Sequence, residues 1–266
     1  MADSFEAATA LERVSDSEHR LVVPDGWQQG RGAFGGLVLG ALIDAMRSRE
    51  EDASRVVRAV TGDLCGPALP VESRIVSRVL RRGNNQTNVA ATLEQAGAVV
   101  AHATCVLASA RKVAAPPRVT LDPPRRVPYE QAQVLPAAAP FGPRFAAHYE
   151  YRSAGPMPLS GGSDAVVLGW IKERVPLARV TASALVARLD AFWPAILSVE
   201  TAPRPVATVS FLAEILCEPS ALDPVAPLFY RARTVAQGSG YFVELRELWH
   251  GDEPVALNQQ SFALLG

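Results

Sequence analysis

Apolar and polar residues follow two periods along the chain, in an order that occurs twice. Between residues 35 and 49 the run GGLVLGALIDAMRSR spreads Leu37, Val38, Leu39, Leu42, Ile43 and Met46 nearly all round a helix. A helix of that kind must be wrapped by other structure. Four segments follow, RVVRAVTGDL, SRIVSRVLRR, TNVAATLEQ and VVAHATCVLAS, which read as strands. After residue 143 the plan recurs. A helix over about Ala182 to Ala195 precedes PVATVSFLAEIL, PLFYRARTVA, YFVELRELWH and PVALNQQSFALL. Turn-forming clusters bound the strands: Gly83-Asn84-Asn85, Ala96-Gly97, Gly238-Ser239-Gly240 and Gly251-Asp252.

The halves overlay. Val100-Ala101 falls on Val255-Ala256 at an offset of 155, which also sets Gly83 on Gly238 and Gly35 on Asp190. Thr61 falls on Thr208 at 147, and the longer loop ALDPVA takes up most of the drift. A unit of about 155 residues is too long for a solenoid repeat and reads as a duplicated domain. Between the copies, residues 113–143 hold eight of the chain's 21 prolines. Proline fixes its own φ and restricts the residue before it, so helix and central strand are excluded and an extended linker is expected. The expected domains are 1–112 and 144–266, joined by the linker 113–143.

Composition narrows the function classes. The chain has 266 residues, 48% of them apolar, with 26 Lys plus Arg against 27 Asp plus Glu. That gives a sizeable core and no electrostatic footprint for nucleic acid. The start, MADSFEAATALERVSDSEH, is acidic and has no long apolar run, and the longest apolar stretch, Gly35 to Ala45, is too short to cross a bilayer. Cys65, Cys105 and Cys217 are scattered and the four histidines show no ligand spacing. Free thiols in a reducing cytoplasm and no metal are the expectation.

The first helix begins in Gly30-Arg31-Gly32-Ala33-Phe34-Gly35, a GxGxxG string. A dinucleotide turn needs a buried strand ending at the first glycine and further strand–helix units. Here PDGWQQ precedes it and only strands follow the helix. What remains is a helix N-terminus whose free amides attract anions and developing negative charge.

One apolar helix wrapped by a curved antiparallel sheet, present twice, resembles the double-hotdog acyl-CoA thioesterases of the bacterial thioesterase II type. The stretches that carry the resemblance are FGG plus helix, LDAFWPA on the second helix, PVATVSF on the next strand and PVALNQQSF on the last. It implies an α+β chain of two tandem hotdog domains and hydrolysis of acyl-CoA without metal or bound cofactor. It sets the family's aspartate, threonine and glutamine on Asp190, Thr208 and Gln260. The implied partner is a small-molecule acyl-CoA, with homo-oligomerisation left open.

The residues bear on this separately. On a helix Asp190 has Val186, Ala187, Trp193 and Pro194 as neighbours, an apolar face on which its carboxyl pKa rises and suits a general base. Alternation puts Gln260 with Asn258 and Phe262. It puts Thr208 with Ser210, opposite Ala207, Val209, Phe211 and Ala213. Cys105 stands at the first-half position matching Gln260. The amides of Gly35 and Gly36 supply donors for the thioester oxygen. Asp44 reads as an interface or loop contact rather than a second base. Phe192, Trp193 and Phe211 read either as core or as the lining of an acyl tunnel. Two other readings stand beside hydrolysis: a non-catalytic acyl or CoA binder, and a hotdog dehydratase or hydratase that would use His102.

Overall fold

The computed structural model describes residues 4–111, 114, 121–137 and 140–265. The N-terminal half opens with helix α1 (Phe5–Ala8) and strands β1 (Glu12–Arg13) and β2 (Glu18–Val22). The small pair β3 (Gln28–Gln29) and β4 (Gly32–Ala33) leads into helix α2 (Gly35–Arg47). Strands β5 (Val56–Leu64), β6 (Glu72–Arg82), β7 (Gln86–Gln95) and β8 (Ala98–Ala108) complete it. The C-terminal half runs β9 (Gln133–Val134), β10 (Tyr149–Ser153), β11 (Val166–Glu173) and helix α3 (Ala182–Ala191). It ends with β12 (Val206–Ile215), β13 (Leu228–Gly238), β14 (Tyr241–His250) and β15 (Glu253–Leu264).

Thirteen strands form one antiparallel sheet in the order β1-β2-β6-β7-β8-β5-β12-β15-β14-β13-β11-β10-β9. The two halves meet where β5 pairs β12, with Thr61 opposite Leu212. Helix α2 packs on β5 to β8, α3 packs on β14 and β15, and the helices pack on each other. Their crossing is antiparallel. A β-carbon at Gly36 would stand 2.8 Å from the Cα of Ala187, and one at Gly40 would stand 3.5 Å from the Cβ of Ser183. Small residues at these positions let two apolar helices approach backbone to backbone, so the core lies between them and the sheet.

The duplication is written in the irregularities. β6 and β13 each break register, at Val79/Arg81 and at Thr234/Ala236. So do β7 and β14, at Leu93/Glu94 and Leu248/Trp249, and in all of these the offset is 155. The bulges of β5 and β12, at Val57/Ala59 and Thr208/Ser210, lie 151 apart. The helices start at Gly35 and Ala182, 147 apart. Two steps of four residues, from 147 through 151 to 155, thus replace the two offsets expected from sequence. Gly35 matches Ala182, not Asp190, and Thr208 matches Val57, not Thr61.

Other expectations change too. Helix α3 ends at Ala191, four residues early, because Pro194 disfavours helical backbone at Trp193. Helix α2 stops at Arg47, with Ser48 as its cap. Each half has an extra strand before its helix, β2 and β11, that the sequence reading omits. Of the proline-rich stretch, residues 113, 115–120 and 138–139 lie outside the described residues. Its described part runs along the C-terminal half. The Val127 carbonyl accepts from Trp170 Nε1 at 2.8 Å, Arg126 pairs with Asp252, and β9 adds an edge strand to β10.

Candidate active site

Asp190 stands in the last turn of α3, and the antiparallel crossing brings it to the first turn of α2. A β-carbon at Gly35 would lie 2.9 Å from Asp190 Oδ2, and the Gly36 amide donates to the Asp190 carboxylate. The side chain is 7% exposed. The negative end of its own helix dipole opposes ionisation, whereas the positive end of α2 favours it.

Gln260 and Thr208 close on the same carboxylate. Gln260 Nε2 donates to Asp190 Oδ1 at 2.8 Å and to Thr208 Oγ1 at 2.7 Å. Gln260 is fully buried, and Asn258 and Phe262 share its inward face. Strand alternation alone would turn Thr208 outward. The bulge at Thr208/Ser210 takes up one extra residue, Val209, which is 41% exposed. Thr208 therefore joins Phe211 and Gln260 on the inner face, opposite Phe262. The outward placement expected for Thr208 is corrected by this one residue.

Sequence reasoning missed the buried charges behind Asp190. Arg246 on β14 is 1% exposed; its Nη1 donates to the Leu189 carbonyl at 3.1 Å and lies 3.8 Å from Asp190 Oδ1. Its other partner is Glu244, at 3.0 Å and fully buried. Glu244 in turn accepts from the amides of Ala195 and Ile196, holding the chain just after α3. The signal was present in YFVELRELWH, where alternation sets Glu244 and Arg246 on the face of Phe242 and Leu248. Charged residues at core positions of a strand mark a buried pair.

Burial pushes the Asp190 pKa up; the Arg246 charge, the Gln260 amide and the Gly36 amide each pull it back without cancelling the rise. The arrangement is a carboxylate with raised proton affinity, locked by an amide that also donates to the Thr208 hydroxyl. Having accepted from Gln260, the Thr208 hydroxyl can direct its own proton to a ligand or water.

The remaining candidates separate. Gly36 has its amide on Asp190 and its Cα against Ala187, which leaves Gly35 as the first amide of the helix. Phe192 and Phe211 belong to the core, and Phe192 stacks on Tyr230 at 4.4 Å. Trp193 is only partly buried. Asp44 accepts from Ser183 Oγ at 2.6 Å at the opposite end of the helix pair, as an interface contact. His102 faces away from α2, opposite Asp63 across the β5–β8 pair. Among the described residues no His, Cys, Asp or Glu cluster can hold a metal ion. No helix there is long and apolar enough to cross a membrane.

Comparison with known proteins fits this geometry. A conserved protein of unknown function with a hot dog fold from Alicyclobacillus acidocaldarius superposes with a TM-score of 0.89 at 23% identity, over 100% of this chain and 99% of that one. An acyl-CoA thioesterase II from Mycobacterium marinum superposes at 0.79 and 16% identity, over 98% of both chains. These likenesses define the class: the chain has the hot dog fold. Its sequence matches the acyl-CoA thioesterase N-terminal domain over residues 23–108 and the acyl-CoA thioesterase C-terminal domain over residues 124–264. The chain belongs to the acyl-CoA thioesterase family. None of the curated proteins searched matches it.

Proposed function

We propose that the chain hydrolyses acyl-CoA thioesters to a free acid and CoA, as two tandem hotdog domains of which the second carries the base. The observation that supports this most is the Asp190–Gln260–Thr208 chain at the N-terminus of α2. In this reading water lies between Asp190 and the Thr208 hydroxyl. Asp190 takes its proton as its oxygen attacks the thioester carbonyl. The tetrahedral oxyanion forms at the Gly35 amide and the positive end of α2, while Gly36 holds Asp190 in place. The C–S bond then breaks and the proton passes from Asp190 to the departing CoA thiolate. A thiolate leaves readily, so a general base on water suffices and no activated serine is needed.

The test is release of free CoA thiol from acyl-CoAs of graded chain length. Asp190→Asn keeps the shape and loses the base, and its turnover is expected to fall about 10²- to 10⁴-fold. Undiminished turnover in that variant removes Asp190 from the chemistry. Tight binding of acyl-CoA by the native chain without thiol release favours the non-catalytic binder instead.

A further inference from the structure

The duplication gives the Asp190 site a mate at the other end of the helix pair. The matched offsets set Ile43 at the position of Asp190, Val57 at that of Thr208 and Cys105 at that of Gln260. Ala182 and Ser183 stand where Gly35 and Gly36 stand. Here a cavity of about 320 Å³ opens, lined by Ile43, Val57, Ala182 and Ser183 together with Arg47 and Arg179. It keeps the helix N-terminus, capped by Thr181, and lacks the counterparts of Asp190, Thr208 and Gln260; Asp44 is the carboxylate of the helix pair that lines it.

The cavity does not stand alone. A second, of about 340 Å³, shares Asp44 and Thr181 with it and adds apolar wall from Phe5, Ala10 and Leu11. A third, of about 440 Å³, shares Arg13, His19 and Ser48 with the second. Its charged lining is Arg13, Arg49 and Arg82 against Asp16 and Glu51; Asp16 is paired with Arg13, Arg82 lies 3.8 Å from Glu50 and donates to the Arg49 carbonyl, and Arg49 donates from Nη1 to the Asp16 carbonyl.

That third cavity has the marks of an oxyanion site. His19 is 5% exposed, and its Nδ1 has no hydrogen-bond partner among the described residues. Arg49 Nε is buried and equally without a partner, and no carboxylate forms an ion pair with Arg49 among the described residues. Burial, then the charges of Arg13 and Arg49, press the imidazole pKa down, so the field at the ring is positive. The Arg49 Nε donor is costly to bury unmatched, and His19 Nδ1 becomes a second such donor once it carries a proton; a phosphate has oxygens for both.

We propose that the three neighbouring cavities, which share wall residues, form a second binding groove for a phosphorylated thioester, which it holds without hydrolysing. The phosphate lies at His19, Arg49 and Arg82, and the thioester end lies at Ile43 and Val57 under the N-terminus of α3. The choice of a CoA thioester as ligand rests on the proposed function; the phosphate site does not. The Asp190, Thr208 and Gln260 positions are filled by Ile43, Val57 and Cys105, and Asp44, the carboxylate of the helix pair beside them, is taken up by the Ser183 hydroxyl, so bound thioester lacks the Asp–Gln–Thr set that positions water at the first site.

The test titrates the full chain with an S-alkyl thioether of CoA, which cannot be hydrolysed, and with inorganic phosphate. Calorimetry gives the number of sites, and the imidazole NMR resonance of His19 reports on the groove. Two thioether molecules per chain are expected, with the His19 pKa rising as the phosphate settles beside it. Arg49→Met should weaken only one of the two binding events, about tenfold or more, and Arg49→Lys should restore most of it. One event per chain, or an unmoved His19, overturns the proposal. Inorganic phosphate binding as tightly as the thioether overturns the thioester part and leaves a simple phosphate site. An active Asp190→Asn variant would undo the hydrolysis reading while leaving the His19 titration untouched, so the two failures are distinguishable.

Discussion

Arg246 sets how readily Asp190 gives up its proton. Burial alone would hold the carboxyl protonated to higher pH, and the guanidinium 3.8 Å away opposes this. A general base works only when deprotonated, so activity falls as pH drops through its pKa. Removing the positive charge raises that pKa further. Arg246→Met is expected to move the acid limb of the kcat/KM profile to higher pH by about one unit or more, and Arg246→Lys to bring it back. An acid limb that stays put in the Met variant would separate Arg246 from the titration. The same variant leaves Glu244 buried without its cation, so a loss of about 3 to 5 kcal/mol in stability is expected as well. Asp190 was legible as an acid on an apolar helix face, whereas Gln260 was reached through the family resemblance, since alternation alone does not say which face of its strand meets the helix. Arg246 was equally legible by alternation, since it stands between Phe242 and Leu248 on the buried face of its strand. The inward turn of Thr208 was not legible, since nothing in ATVSF announces that Val209 will be squeezed out of register.

At the scale of elements the helix crossing decides both stability and chemistry. Gly36→Ala puts a methyl 2.8 Å from the Cα of Ala187, a backbone atom that cannot swing aside. Separating the helices to fit it is expected to cost roughly 1 to 3 kcal/mol, read as a melting temperature lower by several degrees. It should also reduce turnover, because the amide that holds Asp190 moves with the helix. A variant with native melting temperature would show the crossing to be looser than described. The other end of the crossing carries Asp44, whose pKa burial raises to about 6 despite the Ser183 hydroxyl and the Arg179 charge. A carboxyl with a raised native pKa favours the folded state at low pH, and this advantage is lost as pH rises from the unfolded value near 3.8 through about 6. Asp44→Asn removes the penalty of ionisation. The melting temperature of that variant relative to native is therefore expected to be higher at pH 7.5 than at pH 4.5. A difference independent of pH would mean that Asp44 does not titrate in this range. Helix α2 was plain in the sequence from its all-round apolar run. The end of α3 was misplaced because apolar periodicity carries on through Trp193 and Ala195 after the backbone has turned extended at Phe192.

For the whole molecule, the sheet has no seam at which the halves could part without exposing backbone. β5 and β12 pair from Ala59 to Asp63 against Ser210 to Glu214, and Gly36 and Gly40 bring the second helix close against the first. A fragment of residues 1–112 is expected to be unfolded or to dimerise, with a second copy supplying the missing strand and helix; size exclusion and circular dichroism check this, and a folded monomer would contradict it. The repeat was visible in the sequence as a plan, but its register was not. The offsets of 155 and 147 bracket two insertions of four residues without locating them, and the bulges that mark true equivalence leave no trace in residue type. The kink that swings Thr208 inward is present in β5 too, at Val57/Ala59. Both copies therefore own the same bent backbone, and only one has furnished it. Placing acid, hydroxyl and amide at Ile43, Val57 and Cys105 would ask for new side chains but no new main-chain path, so the silent copy is a ready mould for a second reaction centre.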